Sequence, residues 1–222
     1  MLYLVPTPIG NLEDITYRAV RVLREVDLIA CEDTRISRVL LDRYDIATPC
    51  ISYHDHNERS RAPQLVERLR GGASIALISD AGSPGLSDPG FYLVRECINA
   101  GIPVTSLPGP TAAIPALAMS GLPSERFIFE GFLPARKGRR RAIERLATHS
   151  ATTILYESPH RIARTLRDLS AGLGSGRQAA IVRELTKKFE EVTRGTLGDL
   201  ADSFGEKRVR GELVIVIGPP QD

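Results

Sequence analysis

Cysteine, histidine and long apolar runs are all scarce in this chain. Its 222 residues hold three cysteines, Cys31, Cys50 and Cys97, an odd number set far apart. That spacing matches no metal-binding or thioredoxin-type pattern, so a disulfide framework is excluded and a reducing, cytosolic setting is expected. Histidine occurs four times. His54 and His56 fall on one side of an extended segment, but no third ligand is near in sequence. A zinc site needs about three or four ligands, so no metal is expected. No apolar run approaches the roughly 20 residues of a membrane span. Residues 2–5 are a short apolar stretch stopped by Pro6 and Pro8 with no basic flank. They read as a strand, not a signal peptide. One-sided charge is missing too. The net charge of +2 is too small to argue nucleic-acid binding by itself. No Gly-Lys-Ser/Thr phosphate loop occurs. The glycines at 172, 174 and 176 imitate a dinucleotide fingerprint, but they follow a helix and precede a strand, the reverse of the required order.

What is present is the pattern of a soluble α/β protein, with 42% hydrophobic and 25% charged residues and enough length for a proper core. Strand signals at 2–5, 28–30, 50–52, 75–78 and 103–107 alternate with helix signals at 14–26, 36–44, 63–70, 89–100 and from Pro110 onward. Five β-α units of this kind predict a doubly wound parallel sheet. Further strands are expected at 127–132, 152–156, 179–183, 190–193 and 212–217, with helices at 139–147, 159–169 and 197–203. Turn formers mark residues 120–126 as a linker between α/β domains at 1–119 and 127–222.

The run from 79 to 90 carries the sharpest chemical signal. It holds three glycines and two prolines, together with Asp80 and Asp88, and it directly follows the buried strand at 75–78. Asp88 and Pro89 read as a helix N-cap and first position. Ligands of open α/β sheets bind at such carboxyl-end turns. A phosphate cradle wants amides and a lysine, yet this turn has no Lys or Arg. Its acidity suits ribose hydroxyls, an ammonium or a sulfonium, which points to S-adenosylmethionine. Residues 6–11 and 108–113 form two further rigid, Pro/Gly-rich turns after strands.

The dense basic run is 136–141, with Arg145 one turn on. Without nearby acids to pair it, contact with a phosphate backbone competes with a solvated helix face. Residues 156–161 and 183–191 each end a strand and collect ionisable groups, and Ser158 and Pro159 look like another helix start.

Nine segments in register, 6–11, 32–35, 54–58, 79–90, 108–112, 131–134, 156–161, 183–191 and 211–216, give the whole chain a specific resemblance. It resembles the small-subunit ribosomal RNA 2'-O-ribose cytidine methyltransferases of the tetrapyrrole-methylase superfamily. The resemblance implies two α/β domains with S-adenosylmethionine in the cleft between them, a homodimer, and 16S ribosomal RNA, within the small subunit, as substrate. It implies cofactor contacts at Ile9, Asp80, Gly82, Ser83, Thr111, Ala112, Tyr156, Glu157 and Leu185. It places Glu32, Arg35, His56, Asn57 and Arg161 on the RNA side, where the basic run adds Arg136, Arg139 and Arg140. Glu184 and Lys187 are the candidates for assisting a weakly acidic ribose hydroxyl. Relatives commonly continue beyond residue 222 into a small helical segment, so cofactor binding is expected to be intact and RNA docking weaker. A tetrapyrrole methyltransferase and a non-catalytic ribosome-assembly module remain alternatives at this point.

Overall fold

The computed structural model describes residues 1–205 and 209–220. The chain divides into two compact units, Met1–Thr111 and Ala112–Asp222.

In the first unit β1 (Leu2–Leu4), β2 (Leu28–Cys31), β3 (Cys50–Ser52), β4 (Ile75–Ile78) and β5 (Val104–Ser106) form one sheet in the order β3-β2-β4-β1-β5. Every pairing is parallel. Helices α1 (Tyr17–Glu25), α2 (Thr34–Arg43), α3 (Glu58–Arg70) and α4 (Phe91–Asn99) cover both faces. The pleat explains why β2 and β4 are apolar at every position. Leu28, Ala30, Ile75 and Leu77 join a cluster with Leu65 and Leu93 of α3 and α4. The alternate residues Ile29, Cys31, Ala76 and Ile78 meet Leu23 and Leu41 of α1 and α2. The doubly wound sheet read from the alternation is present. Its order places β4, β1 and β5 side by side, so the turns leaving their carboxyl ends are neighbours.

The second unit is a mixed sheet, β6-β7-β10-β8-β9. It comprises β6 (Phe127–Phe132), β7 (Thr152–Glu157), β8 (Gln178–Arg183), β9 (Glu191–Thr196) and β10 (Leu213–Ile217). Only β6 and β7 run parallel. Helices α6 (Arg139–Ala147), α7 (Ile162–Leu173) and α8 (Leu197–Gly205) share one core with Leu155, Ile181 and Ile215. Helix α5 (Ala113–Ser120) packs on β7 to β10 through buried Ala116 and Leu117. The break between units therefore falls before α5 rather than at 120–126, where Gly121 in the left-handed region (φ 76°) merely ends that helix.

Helix starts depart from the sequence expectation in both directions. Helix α3 opens at Glu58 and contains Pro63, whose ring sacrifices one hydrogen bond without ending it. Helix α4 opens at Phe91, not at Pro89, because Gly90 at φ 149° breaks the path. Helix α7 opens at Ile162, after a turn in which the Ser158 carbonyl accepts from the amides of Arg161 and Ile162.

Candidate active site

Three turns of the first unit are laced together by short polar contacts. Thr7 and Gly82 exchange both backbone hydrogen bonds at 2.9 Å, and the Thr7 hydroxyl donates to the Ser79 carbonyl at 3.0 Å. The Ser83 hydroxyl donates to the Pro110 carbonyl at 3.1 Å. Gly109 lets the third turn reach the first, since a Cβ there would stand 2.8 Å from the Pro6 ring. Ile9, Gly82, Ser83 and Thr111 therefore line one laced set of backbones, and Ala112 follows directly in the chain. A cavity of about 580 Å³ opens beside it, lined by Asp33, Asp80, Arg35 and the apolar side chains Ile36, Val39 and Leu40.

Glu32, Asp80 and Asp88 form no ion pair among the described residues; Arg35 is engaged instead by Asp33, at 2.6 Å. Asp80 accepts the Asp33 amide at 3.0 Å. Burial pushes the Asp80 carboxyl up, with the Asp33 charge adding to the rise. Burial and the Asp80 charge push Glu32 up. Asp88 is pushed up to about 7 by burial first and then by the charge of Glu32. Carboxylates left unpaired and crowded in this way favour a cationic ligand over an anionic one. The register Cys31↔Ile78 explains the crowding: Glu32 and Ser79 leave adjacent strands at the same level.

Two expected RNA contacts in this unit are otherwise occupied. Asn57 uses its amide on Ser52 and the His54 ring and its carbonyl oxygen on the His54 amide, so it fastens the turn before α3. Arg35 keeps an exposed guanidinium, but on Asp33, which caps α2. His56 is exposed, 5.9 Å from the His54 ring. Among the described residues no group of three metal ligands forms.

The second unit behaves in the opposite way. Glu157, only 2% exposed, accepts from the Ser158 amide (2.7 Å), the Arg161 guanidinium (2.8 Å) and the Thr165 hydroxyl (2.5 Å). Arg161 also donates to the Leu133 carbonyl at 3.2 Å. The Glu157 carboxylate thus fastens three groups of its own unit, and Arg161 is largely committed to it. Arg139, expected to meet RNA, is 5% exposed and donates to Asp168 (2.7 Å), Thr165 (2.8 Å) and the Pro134 carbonyl (3.2 Å). It is a structural residue. The basic run also finds acids: Arg140 pairs with Glu144 and Arg145 with Glu130. Arg136 stays exposed without an ion pair among the described residues.

Glu184 and Lys187 sit on a turn whose backbone turns left-handed at Glu184 (φ 51°) and Thr186 (φ 66°), with Leu185 buried between them. Lys187 donates to Glu184 at 3.1 Å and to Glu212 at 3.0 Å. Burial works to raise the Glu184 carboxyl, but hydrogen bonds from Lys187 and the Glu212 amide outweigh it and hold it low. Burial likewise opposes the Lys187 ammonium, yet Glu212 and Glu184 raise it. At neutral pH the pair is a held cation and its anchor, not a free base. Tyr156 stands at the end of β7, edge-on to Phe129 and Phe132.

Residues 1–201 match the family model of the Tetrapyrrole (Corrin/Porphyrin) Methylases. The chain belongs to the tetrapyrrole methylase family. A protein of Mesorhizobium japonicum named ribosomal RNA small subunit methyltransferase I is 52% identical over 222 residues, 99% of this chain and 76% of its own length. A protein of the same name from Haemophilus influenzae is 52% identical over 225 residues, all of this chain and 80% of its own length. Among solved structures, diphthine synthase superposes with a TM-score of 0.74 at 16% identity, over 98% of this chain and 89% of that one. Uroporphyrin-III C-methyl transferase of Thermus thermophilus, complexed with S-adenyl homocysteine, gives 0.65 at 19% identity over 98% and 96%. These two share the fold of this methylase.

The sequence counts Asp88 in the acidity of its turn but not among the cofactor contacts, and sets Glu32 with the RNA contacts; the structure brings both beside Asp80. Equal strand ends on β2 and β4 were the signal for both. The signal for Arg139 was its spacing: with Ala142, Ile143 and Leu146 it forms the buried stripe of α6.

Proposed function

We propose that this chain is an S-adenosylmethionine-dependent ribosomal RNA methyltransferase that methylates the ribose 2'-hydroxyl of a cytidine in the decoding region of 16S RNA. The laced acidic turn without a cation is the observation that carries the donor; the two relatives at 52% identity, both named for small-subunit ribosomal RNA, support the substrate. The 2'-hydroxyl and the cytidine rest on the motif resemblance. A tetrapyrrole substrate is less favoured, because the structural neighbours lie far below these relatives in identity.

The residues present fit the donor. S-adenosylmethionine supplies a methyl group on a sulfonium, a cation. Glu32 and Asp80 offer it carboxylates without an ion pair among the described residues, Asp88 adds its charge as pH passes about 7, and Gly82, Ser83, Ile9, Thr111 and Ala112 offer backbone and apolar surface. Tyr156 and Leu185 are the second unit's candidates, with Glu157 acting by holding Tyr156's strand end. On the acceptor side, the carbon–oxygen bond would form as the sulfonium–methyl bond breaks to leave a neutral thioether, and the ribose hydroxyl would give its proton to solvent water. The Lys187 ammonium favours the developing oxygen charge, and Glu184 fixes the direction of that ammonium. Alignment of the hydroxyl dominates the remaining barrier. A homodimer working in the cytoplasm completes the proposal. Among the described residues no helix is long and apolar enough to cross a membrane.

Mapping 2'-O-methylation of ribosomal RNA from cells with and without the protein tests the acceptor: one cytidine of the 16S decoding region should lose its methyl group, and an unchanged map overturns it. Calorimetry tests the donor. Asp80→Ala should weaken S-adenosylhomocysteine or S-adenosylmethionine binding roughly ten-fold or more, the worth of one charge-assisted hydrogen bond.

A further inference from the structure

Helix α4 starts directly at the end of the acidic turn, and its first residues present an unusual surface. Phe91 follows Gly90 and is 70% exposed, a large ring held in water. Arg95 lies one helical turn on, so the two share a face. Its guanidinium carbon stands 5.6 Å from the Phe91 ring centre and 5.3 Å from that of Tyr92. Arg59, from the first turn of α3, covers Tyr92 at 5.2 Å. All three lie within the roughly 6 Å at which a cation is attracted to a ring. Tyr92 is half-buried against the core, which anchors the group.

We propose that Arg59, Phe91, Tyr92 and Arg95 form a stacking platform for unpaired RNA bases beside the acidic turn, an inference that rests on the ribosomal RNA reading above. Aromatic faces interleaved with guanidinium groups suit single-stranded nucleic acid, because bases stack on the rings and the cations follow the phosphates. The charge is free to do so. Arg59 has no ion pair among the described residues, and Arg95 meets Glu96 only at 3.8 Å. The platform also adjoins the donor's turn, where nucleotides flanking a target ribose have to be held. The flanking bases are thereby splayed and fixed while the acidic turn serves the donor.

The test uses the whole chain and two readouts. Fluorescence anisotropy with a labelled single-stranded RNA oligonucleotide of the decoding-region sequence reads the platform directly. Phe91→Ala should weaken binding about ten-fold, the value of one stacked base, and Phe91→Trp should restore it. Arg59→Ala and Arg95→Ala should each weaken it and reduce its salt dependence. S-adenosylhomocysteine affinity and melting temperature should stay at the wild-type values in all four. Unchanged RNA binding by Phe91→Ala overturns the platform. So does a change in sedimentation mass, because Ile98, 64% exposed two turns along α4, would then extend a protein interface. Methyl transfer by the wild-type chain to isolated small subunits is the second readout. Its absence overturns the ribosomal RNA reading, whereas the oligonucleotide result judges the platform alone.

Discussion

The two units treat their enclosed carboxylates in opposite ways. In the second, Glu157 and Asp168 are matched by Arg161 and Arg139, and Glu184 by Lys187. In the first, Glu32, Asp80 and Asp88 crowd the ends of β2 and β4 with no ion pair among the described residues, and all three are pushed upward. The Glu157 and Asp168 pairs are explained by folding alone. They tie the loop carbonyls of Leu133 and Pro134 to α6 and α7. The unmatched set costs stability, since charge is partly buried without compensation. Retaining such a cost is what a binding site for a cation looks like. The distinction separates acids spent on their own fold, Glu157 and Asp168, from acids left unpaired among the described residues, in a chain where both kinds follow strands.

The largest expected effect breaks the matched side. Glu157→Ala leaves the Arg161 guanidinium, the Thr165 hydroxyl and the Ser158 amide without their acceptor. Removing one partner of a buried pair lowers the unfolding free energy by about 3–5 kcal/mol. Denaturant unfolding of the variant measures this directly, and a drop under about 1 kcal/mol would show that water replaces the carboxylate at no great cost.

A medium effect sharpens the unmatched side. The Asp88 carboxyl rises from an ordinary 3.8 to about 7 in the folded chain. Between those values the native state keeps a proton that the unfolded state gives up, so stability falls as pH climbs through that window. Asp88→Asn removes the ionisation and should flatten the fall, raising the melting temperature most near neutral pH. The same ionisation should favour a sulfonium over its neutral thioether. The ratio of S-adenosylmethionine to S-adenosylhomocysteine affinity should therefore rise as pH passes about 7 in the wild type, and stay flat in Asp88→Asn. Calorimetry at several pH values decides it; a ratio independent of pH in both proteins means that Asp88 does not face the donor.

Much of this was legible in the chain itself. Apolar runs such as 75–78 and the Pro/Gly turns after them located the parallel sheet and the carboxyl-end turns that lace together. The sequence predicts a short strand at 190–193; pairing with β8 along its full length carries β9 from Glu191 to Thr196. Tertiary context likewise decided α5, whose apolar residues could serve either unit until β7 to β10 claimed them. Side-chain partnership was the least legible layer. Asn57, Arg139 and Glu157 belong to residue types that bind ligands, and only their neighbours in space show that they are already spent.

The smallest expected effect returns to the basic run, now divided. Arg139 is internal, so Arg139→Ser should reduce stability and say nothing about RNA. Arg140 and Arg141 are exposed on α6, and Arg140 leans on Glu144, an exposed pair of little energetic weight. Phosphates can compete for such an arginine. Removing one arginine–phosphate interaction makes the slope of log affinity against log salt shallower by about 0.7–0.9. The double replacement Arg140→Ser with Arg141→Ser should therefore flatten that slope for RNA by roughly one to two, with melting temperature and donor affinity unmoved. A slope equal to that of the wild type makes the outer face of α6 a solvated surface, and leaves the stacking platform of α3 and α4 to hold the RNA on the first unit.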